Sequence, residues 1–443
     1  MNGSPLRPVA LAYTNLPIPA TVAQPLIQAA SIEGKSQRLA LVGGAVRDLL
    51  LHRVHRDPWR GLLDLDLVVS DGPHELGQQA ADSAGDRPAP GDSAPPAAHR
   101  LALALQAQDP AALGYCHFHH AYGTVEIELH GVLLDLATAR CETYPEPGEN
   151  PVVRPGALED DLARRDFSVN AMALVLEGSS GQLLDPHGGL ADLESRHLRF
   201  LHGCSVADDP TRLVRGARYG ARLGFSLDPA SLEQVSSTLA AWPWRWRHGD
   251  PPDLAPPALA TRLRMELELL LEREPWRQAL ALLQEWGALL LLDPALQADQ
   301  HWRRRIAWAQ RLGLPPLVAL VAGASQPLAL AERLQLPHRQ HRLLAQLAEL
   351  RLRLEADEPT DGWSVSRWCV LLEGHGLSSD AVALAIASGV GPRRPLLRWW
   401  LRWRQLKAPL AAADLIAAGQ RPGPELGERL RALRAERLDQ ERL

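Results

Sequence analysis

Residues 124–129, TVEIEL, alternate without a break. Val125, Ile127 and Leu129 fall on one face and Glu126 and Glu128 on the other, the period-two pattern of a strand buried on one side. His130-Gly131 then turns the chain into VLLDLAT (132–138), so the two segments predict a β-hairpin. Upstream, LALVG (39–43) is a short unbroken apolar run that predicts a buried strand, and Gly43-Gly44 opens a helix through AVRDLLL. LLDLDLVVS (62–70) predicts a second strand, and QLLD before the turn PHGG another. Residues 81–98 carry no apolar periodicity and predict a disordered surface insertion with no chemistry of its own, and the Pro/Gly content of 141–158 predicts a mobile loop. From Asp208 onward strand signals fade into Leu/Ala/Arg helices separated by Pro-rich breaks such as DPPDLAPP (250–257). The pattern predicts an N-terminal α/β domain followed by helical domains.

A chain of 443 residues has room for two or more domains, and 46% hydrophobic content excludes global disorder. Neither an apolar leader nor an apolar run of about 18 residues occurs, which predicts a soluble cytoplasmic protein without a membrane partner. Cys116, Cys141, Cys204 and Cys369 form no C-x-x-C pair, so they predict buried thiols and neither a zinc ribbon nor a disulfide framework. A net charge of -5 argues against a protein that coats nucleic acid non-specifically, but the average hides a gradient. Residues 391–443 carry +6 and the remainder -11, compatible with docking one phosphate-rich partner. Trp363, Trp368, Trp399, Trp400 and Trp403 read as helix-packing residues, with stacking of 399–404 on RNA as the alternative.

The candidate chemistry begins at Asp64-Leu65-Asp66. On a strand, alternate side chains share a face, so both carboxylates project together and invite a divalent ion such as Mg²⁺. About twenty residues upstream, the Gly43-Gly44 turn allows close backbone approach, the new helix presents its N–H groups to an anion, and Arg47 stands in its first turn. A third carboxylate would come from Asp135, Glu126 or Glu128, each equally readable as a solvated strand residue. His117, His119 and His120 lack metal-site spacing and predict a loop or strand-end role. Downstream, Arg212, Arg215, Arg218 and Arg222 fall within one arc of about 120° on a helix begun by Pro210 and capped by Asp208 or Asp209.

A glycine turn with D-x-D on the next strand is the arrangement of polymerase-beta-like nucleotidyltransferases. LVGGAVRDLLL (41–51), DLDLVV (64–69), DLARRDFSVNAMAL (161–174), DPHGGLADL (185–193) and DDPTRLVRGARYGARLGF (208–225) resemble, in order and spacing, the class II tRNA nucleotidyltransferase and bacterial poly(A) polymerase family. The match is strong over about 37–270, and DLIAAGQRPGPELG (414–427) resembles the tail of CCA-adding members. The resemblance implies an α+β protein. Residues 1–36 would precede a nucleotidyltransferase head with a mixed sheet (37–200), followed by an all-helical neck (201–257), body (258–345) and basic tail (346–443). It implies two Mg²⁺ ions on Asp64 and Asp66, triphosphate contacts from Gly44 and Arg47, and a nucleotide contact from Arg165. It implies a protein template of Asp209 and Arg212 that reads the incoming base, with Arg215 and Arg218 supporting the base or phosphates. Asp208 stands where the family usually has Glu, and its shorter reach leaves it outside the reading set. The activity implied is CTP- and ATP-dependent building of the CCA end on the acceptor arm of tRNA. An A-adding enzyme, a poly(A) polymerase and an RNA-binding protein with an idle head remain as alternatives. The loop at 140–160 weighs against a pure CC-adder, because the switch from C to A depends on such a loop in the family. No His-Asp dipeptide occurs in the helical region, so the phosphohydrolase domain of some relatives is not expected.

Overall fold

The computed structural model describes residues 10–12, 18–31, 37–58, 65–71, 95–120, 122–177, 180–356, 362–374 and 376–441. They divide into two compact units, Met1–Arg212 with Tyr219–Pro243, and Leu213–Arg218 with Trp244–Leu443.

The first unit is built on a mixed sheet. In chain order its strands are β1 (Ala10–Ala12), β2 (Arg38–Val42), β3 (Asp66–Ser70), β4 (Leu113–His119), β5 (Thr124–Leu129) and β6 (Val132–Thr138). A hairpin of β7 (Arg140–Thr143) and β8 (Val152–Pro155) stands apart, and β9 (Ala173–Glu177) and β10 (Ser180–Leu184) return to the sheet. Across the sheet the order is β1-β10-β9-β2-β3-β6-β5-β4, antiparallel throughout except for the parallel pair β3/β6.

The alternation at 124–138 does what its pattern requires. Val125, Ile127, Leu129, Leu134 and Leu136 are buried, against helix α3 (Ala97–Gln108), while Glu126 and Asp135 stay exposed. Helix α1 (Ala20–Ala30) packs beside α3, and α2 (Gly44–Arg53) follows β2 directly. On the opposite face, Ala40, Val42, Val68, Ala139, Ala173 and Val175 form a core with Leu158 and Leu162 of α4 (Leu158–Ala163). Asp66 lies two residues before Val68 and therefore on this second face, beside the edge of that core.

Several expectations are corrected here. Residues 1–36 do not merely precede the head: Ala10–Ala12 pairs with β10 and α1 supplies buried Val22, Ala23 and Leu26. The insertion expected at 81–98 ends earlier, because α3 begins at Ala97; residues 81–94 lie outside the described residues. The 141–158 segment is not simply a loop. Its Pro and Gly residues concentrate in the turn at 145–151, leaving β7 and β8 free to pair, with Pro155 tolerated in an edge position. His117 stands within a strand, β4, whereas His119 ends it and His120 lies in the turn beyond, the strand-end and loop places expected of them. Of the cysteines only Cys369 is buried, and Cys204 is exposed. A short parallel ladder, His197–Leu198 with Ser226–Leu227, also extends strand structure past Asp208.

The second unit is helical throughout its described residues, with helices that include Thr261–Arg273, Trp302–Arg311, His338–Ala356, Val365–Glu373, Ser379–Ala387, Arg393–Leu401 and Pro424–Asp439. Trp363, Trp368, Trp399 and Trp403 are buried within it, whereas Trp400 is half-buried under Arg404. Among the described residues no helix is long and apolar enough to cross a membrane.

Candidate active site

Gly43 takes φ 69° and ψ −135°, a backbone conformation open to glycine, and turns β2 into α2. A Cβ there would lie 3.0 Å from Arg165 Nη1 and 3.9 Å from Asp66 Oδ2. The glycine turn, the RRD arginine and the second D-x-D carboxylate thus lie together. Asp64 lies outside the described residues.

Strand register adds what single residues left open. Asp66 pairs with Asp135 across β3/β6, and Asp135 pairs with Glu126 across β6/β5. Register partners share a sheet face, so these three carboxylates form a row, while Glu128 lies opposite Leu133 one step along. Asp66, Asp135 and Glu126 line a cleft of about 550 Å³, a volume suited to a nucleotide-sized ligand, together with Arg140, Arg164 and Arg165. Carboxylates and guanidiniums in one cleft suit a polyanion held together with a hard divalent cation. Among the described residues no three His, Cys, Asp or Glu side chains converge on a single metal position. Asp66 with Asp135 supplies the one or two carboxylates that Mg²⁺ takes when phosphates and waters complete its shell, so the donor chemistry fits that ion.

The arginines are held from behind. Asp161 is fully buried; its Oδ1 accepts from Arg164 Nε (3.0 Å) and Nη2 (2.8 Å), and its Oδ2 from Arg165 Nη2 (2.9 Å). Burial by itself would raise this carboxyl, but the charges and hydrogen bonds of Arg165 and Arg164 outweigh it and hold it below the usual carboxylate range. Glu142 of β7 accepts from Arg164 Nη1 (3.1 Å) and Arg140 Nε (3.0 Å). Neither acid was singled out from sequence. The signal for Asp161 was available, since residues three and four apart on a helix are neighbours and Arg164 and Arg165 have that spacing.

Arg47, expected among the triphosphate contacts, is engaged with protein partners. It is 4% exposed, donating from Nε to Asp48 (2.8 Å) and from Nη1 to Asn170 Oδ1 (2.7 Å), with its guanidinium 5.4 Å from the Tyr219 ring. Asn170 in turn donates to Asp166, the acid of RRD, at 3.0 Å. Gly44 stands over this arginine, its Cβ position 3.4 Å from Arg47 Nη2.

Asp209 and Arg212 are both buried. Helix Thr211–Leu223 begins after Pro210, and Asp209 Oδ1 accepts from the Thr211 backbone N–H (3.1 Å) and hydroxyl (2.6 Å), so Asp209 supplies the capping contact. Arg212 donates from Nη2 to the Arg164 carbonyl (3.0 Å) and lies 3.4 Å from both the Ser205 carbonyl and His202 Nε2. Burial lowers the His202 pKa, and the Arg212 charge adds to the shift. Asp208 belongs to the preceding turn, Ser205–Asp208; burial raises its carboxyl, with Arg212 opposing and Asp209 adding. Arg215 and Arg218 fall in the second unit, where Arg218 pairs with Glu266 and lies 3.5 Å from Glu274.

Residues 97–199 match the poly A polymerase head domain. The chain is 39% identical to the CC-adding tRNA nucleotidyltransferase of Deinococcus radiodurans over 70% of this chain and 71% of that one. It is 28% identical to the CCA-adding enzyme of Geobacillus sp. over 79% of this chain and 74% of that one. A solved apo form of a CCA-adding enzyme shares the fold with a TM-score of 0.68 at 22% identity, covering 97% of this chain and 96% of that one.

Proposed function

The chain belongs to the class II tRNA nucleotidyltransferase family, which shares its head domain with bacterial poly(A) polymerases, and on that premise we propose that it builds the CCA end of tRNA from CTP and ATP. The observation that carries this reading is the cleft that the in-register carboxylates Asp66 and Asp135 line together with Arg164 and Arg165. In the reaction, the 3′ hydroxyl of the tRNA acceptor arm attacks the α-phosphorus of the nucleoside triphosphate, and pyrophosphate leaves. Asp66, with Asp64 and Asp135, would hold Mg²⁺, which supplies Lewis-acid activation and charge neutralisation when bound. Arg165, fixed by Asp161, meets the negative charge of the triphosphate in a cleft that needs no rearrangement to receive it. Gly43 and Gly44 keep the backbone low enough for that approach, and Arg47 holds the glycine turn to Asn170. Asp209 and Arg212 present fixed hydrogen-bond partners to the incoming base, and Arg215 and Arg218, further along the helix that carries Arg212, support the base or phosphates. The helical neck, body and tail divide the task of holding tRNA, and the reading assigns the work to the cytoplasm.

A second reading has its own support: the 39% identity to a CC-adding relative favours addition of the two cytidines alone. Three transcripts of one tRNA, ending at the discriminator base, after one C and after CC, separate the readings when each is offered single labelled nucleotides. We expect CTP to extend the first two, ATP to extend the third, and addition then to stop. CTP addition without ATP addition establishes the CC-adding reading, ATP addition confined to the CC-ended transcript an A-adding enzyme, and long A tails on unrelated RNA a poly(A) polymerase.

A further inference from the structure

The sheet face that carries Asp66 does not end at the cleft. It continues across β6 and β5 to β4, the edge strand, where Tyr115, His117 and His119 pair with Glu128, Glu126 and Thr124 and so project from the same face. The alternate residues Cys116 and Phe118 point the other way, Phe118 packing edge-on against His99 of α3 at 5.2 Å. The three rings form a row: Tyr115 and His117 are stacked with centroids 6.3 Å apart and an interplanar angle of 12°, and His117 meets His119 at 4.5 Å. Tyr115 is 45% exposed and His117 is exposed, so an aromatic surface is presented to solvent with nothing among the described residues of this unit covering it. Glu126 stands beside the row, accepting from the Tyr115 hydroxyl at 3.4 Å and lying 3.5 Å from His119 Nε2.

We propose that this ring row is a stacking platform for the unpaired 3′-terminal nucleotides of the RNA being extended. The inference rests on the nucleotidyltransferase reading above. Its occupant follows from continuity: His119, Glu126 and Asp135 line the same cleft as Asp66, so a strand whose 3′ end lies at Asp66 runs out over β6 and β5 toward His117. Three strand spacings separate Asp66 from His117, about 14 Å. That is the length of roughly four nucleotides stacked at the 3.4 Å spacing of a helical strand, enough for the discriminator base and the nucleotides that follow it. Exposed rings on an open sheet face are the means by which proteins hold unstacked bases irrespective of sequence. Glu126 adds an acceptor for an exocyclic amine, which cytosine and adenine both carry.

The test uses the full chain and a tRNA transcript that ends in CC and carries 2-aminopurine at the discriminator position, without nucleoside triphosphate. Stacking on the platform quenches the fluorescence of the wild-type complex. In the Tyr115→Ala/His117→Ala variant the quenching is lost and the KM for tRNA in steady-state incorporation rises about tenfold, with the KM for CTP unchanged within twofold. Tyr115→Phe/His117→Phe keeps the rings and retains both quenching and affinity, which separates stacking from any structural effect of the alanines. Quenching that is absent from the wild-type complex, or identical in the alanine variant, overturns the platform. A wild-type protein that neither binds nor extends tRNA overturns instead the reading on which the platform rests.

Discussion

At the scale of single residues, Asp161 decides more of the site than its place in the sequence suggests. It is the shared anion behind two guanidiniums, fully buried, and through the Arg164 backbone it also reaches Arg212, whose Nη2 donates to the Arg164 carbonyl. Removing one partner of a buried charged network typically costs about 3–5 kcal/mol because the remaining charges stay buried and unpaired. Asp161→Asn therefore lowers stability and loosens Arg165, raising the KM for the nucleotide more than that for tRNA. The acid dependence gives the charge away. A carboxyl held below its usual range stabilises the fold fully above its unfolded pKa of about 4 and loses that contribution as pH falls through the lower folded value. Melting temperatures of wild type and Asp161→Asn should therefore converge as pH drops below about 4. A gap that stays constant from pH 7 to pH 3 would mean that the Asp161 charge is not what holds the arginines. The D-x-D, RRD and DDPTR residues were legible because each sits in a local pattern. Glu142 was not picked out because its importance comes from a partner that folding brings to it, Arg164, twenty-two residues further along the chain, whereas the three- and four-residue spacing of Asp161 to its arginines was present in the sequence and went unread.

At the scale of elements, the site is made by two junctions: the glycine turn from β2 into α2, and the parallel pairing of β3 with β6. The turn offers a direct test. Gly43→Ala places a side chain at a positive φ with extended ψ, a conformation essentially reserved for glycine, at about 1–3 kcal/mol, and drives a methyl to 3.0 Å from Arg165 Nη1. We expect kcat/KM for incorporation to fall about a hundredfold, the effect of displacing a positioned group by about 1 Å, while far-UV circular dichroism is unchanged. An active Gly43→Ala enzyme would show that Arg165 does not need its present place. The hairpin 124–138 was legible because one face is buried and the other is wet. The β4 strand was not, since its edge position leaves Tyr115 and His117 exposed and His119 only half-buried, and so removes the apolar alternation that marks a strand. Helix α3 was obscured for a different reason: it begins directly after a composition-biased stretch, and its amphipathic start at Ala97 shares the Ala and Pro content of that stretch. The β7/β8 hairpin was hidden by the Pro/Gly content of its own turn.

At the scale of the whole molecule, the charge gradient is the property that local patterns cannot supply. The +6 end is not a detachable arm. Trp399 and Trp403 are buried, Arg434 pairs with Glu373, and Asp439 accepts from Ser366, so deleting residues 392–443 would expose core rather than report on charge. Substitution of exposed cations is the cleaner experiment. Arg394, Arg421, Arg429 and Arg431 are all exposed, and replacing the four with Gln removes charge without opening the interior. Each phosphate that a guanidinium no longer neutralises should reduce the slope of log K against log[salt] by about 0.9. If all four arginines face phosphate, the fourfold variant flattens the slope by about 3.6. Affinity then falls most at low salt and converges with wild type at high salt, while CTP affinity in the head is untouched. The distinguishing quantity is the slope, because a misfolded variant binds more weakly at every ionic strength, whereas phosphates left without a cation change how affinity depends on salt. An unchanged slope would assign these arginines to solvent and leave tRNA docking to other surfaces of the chain.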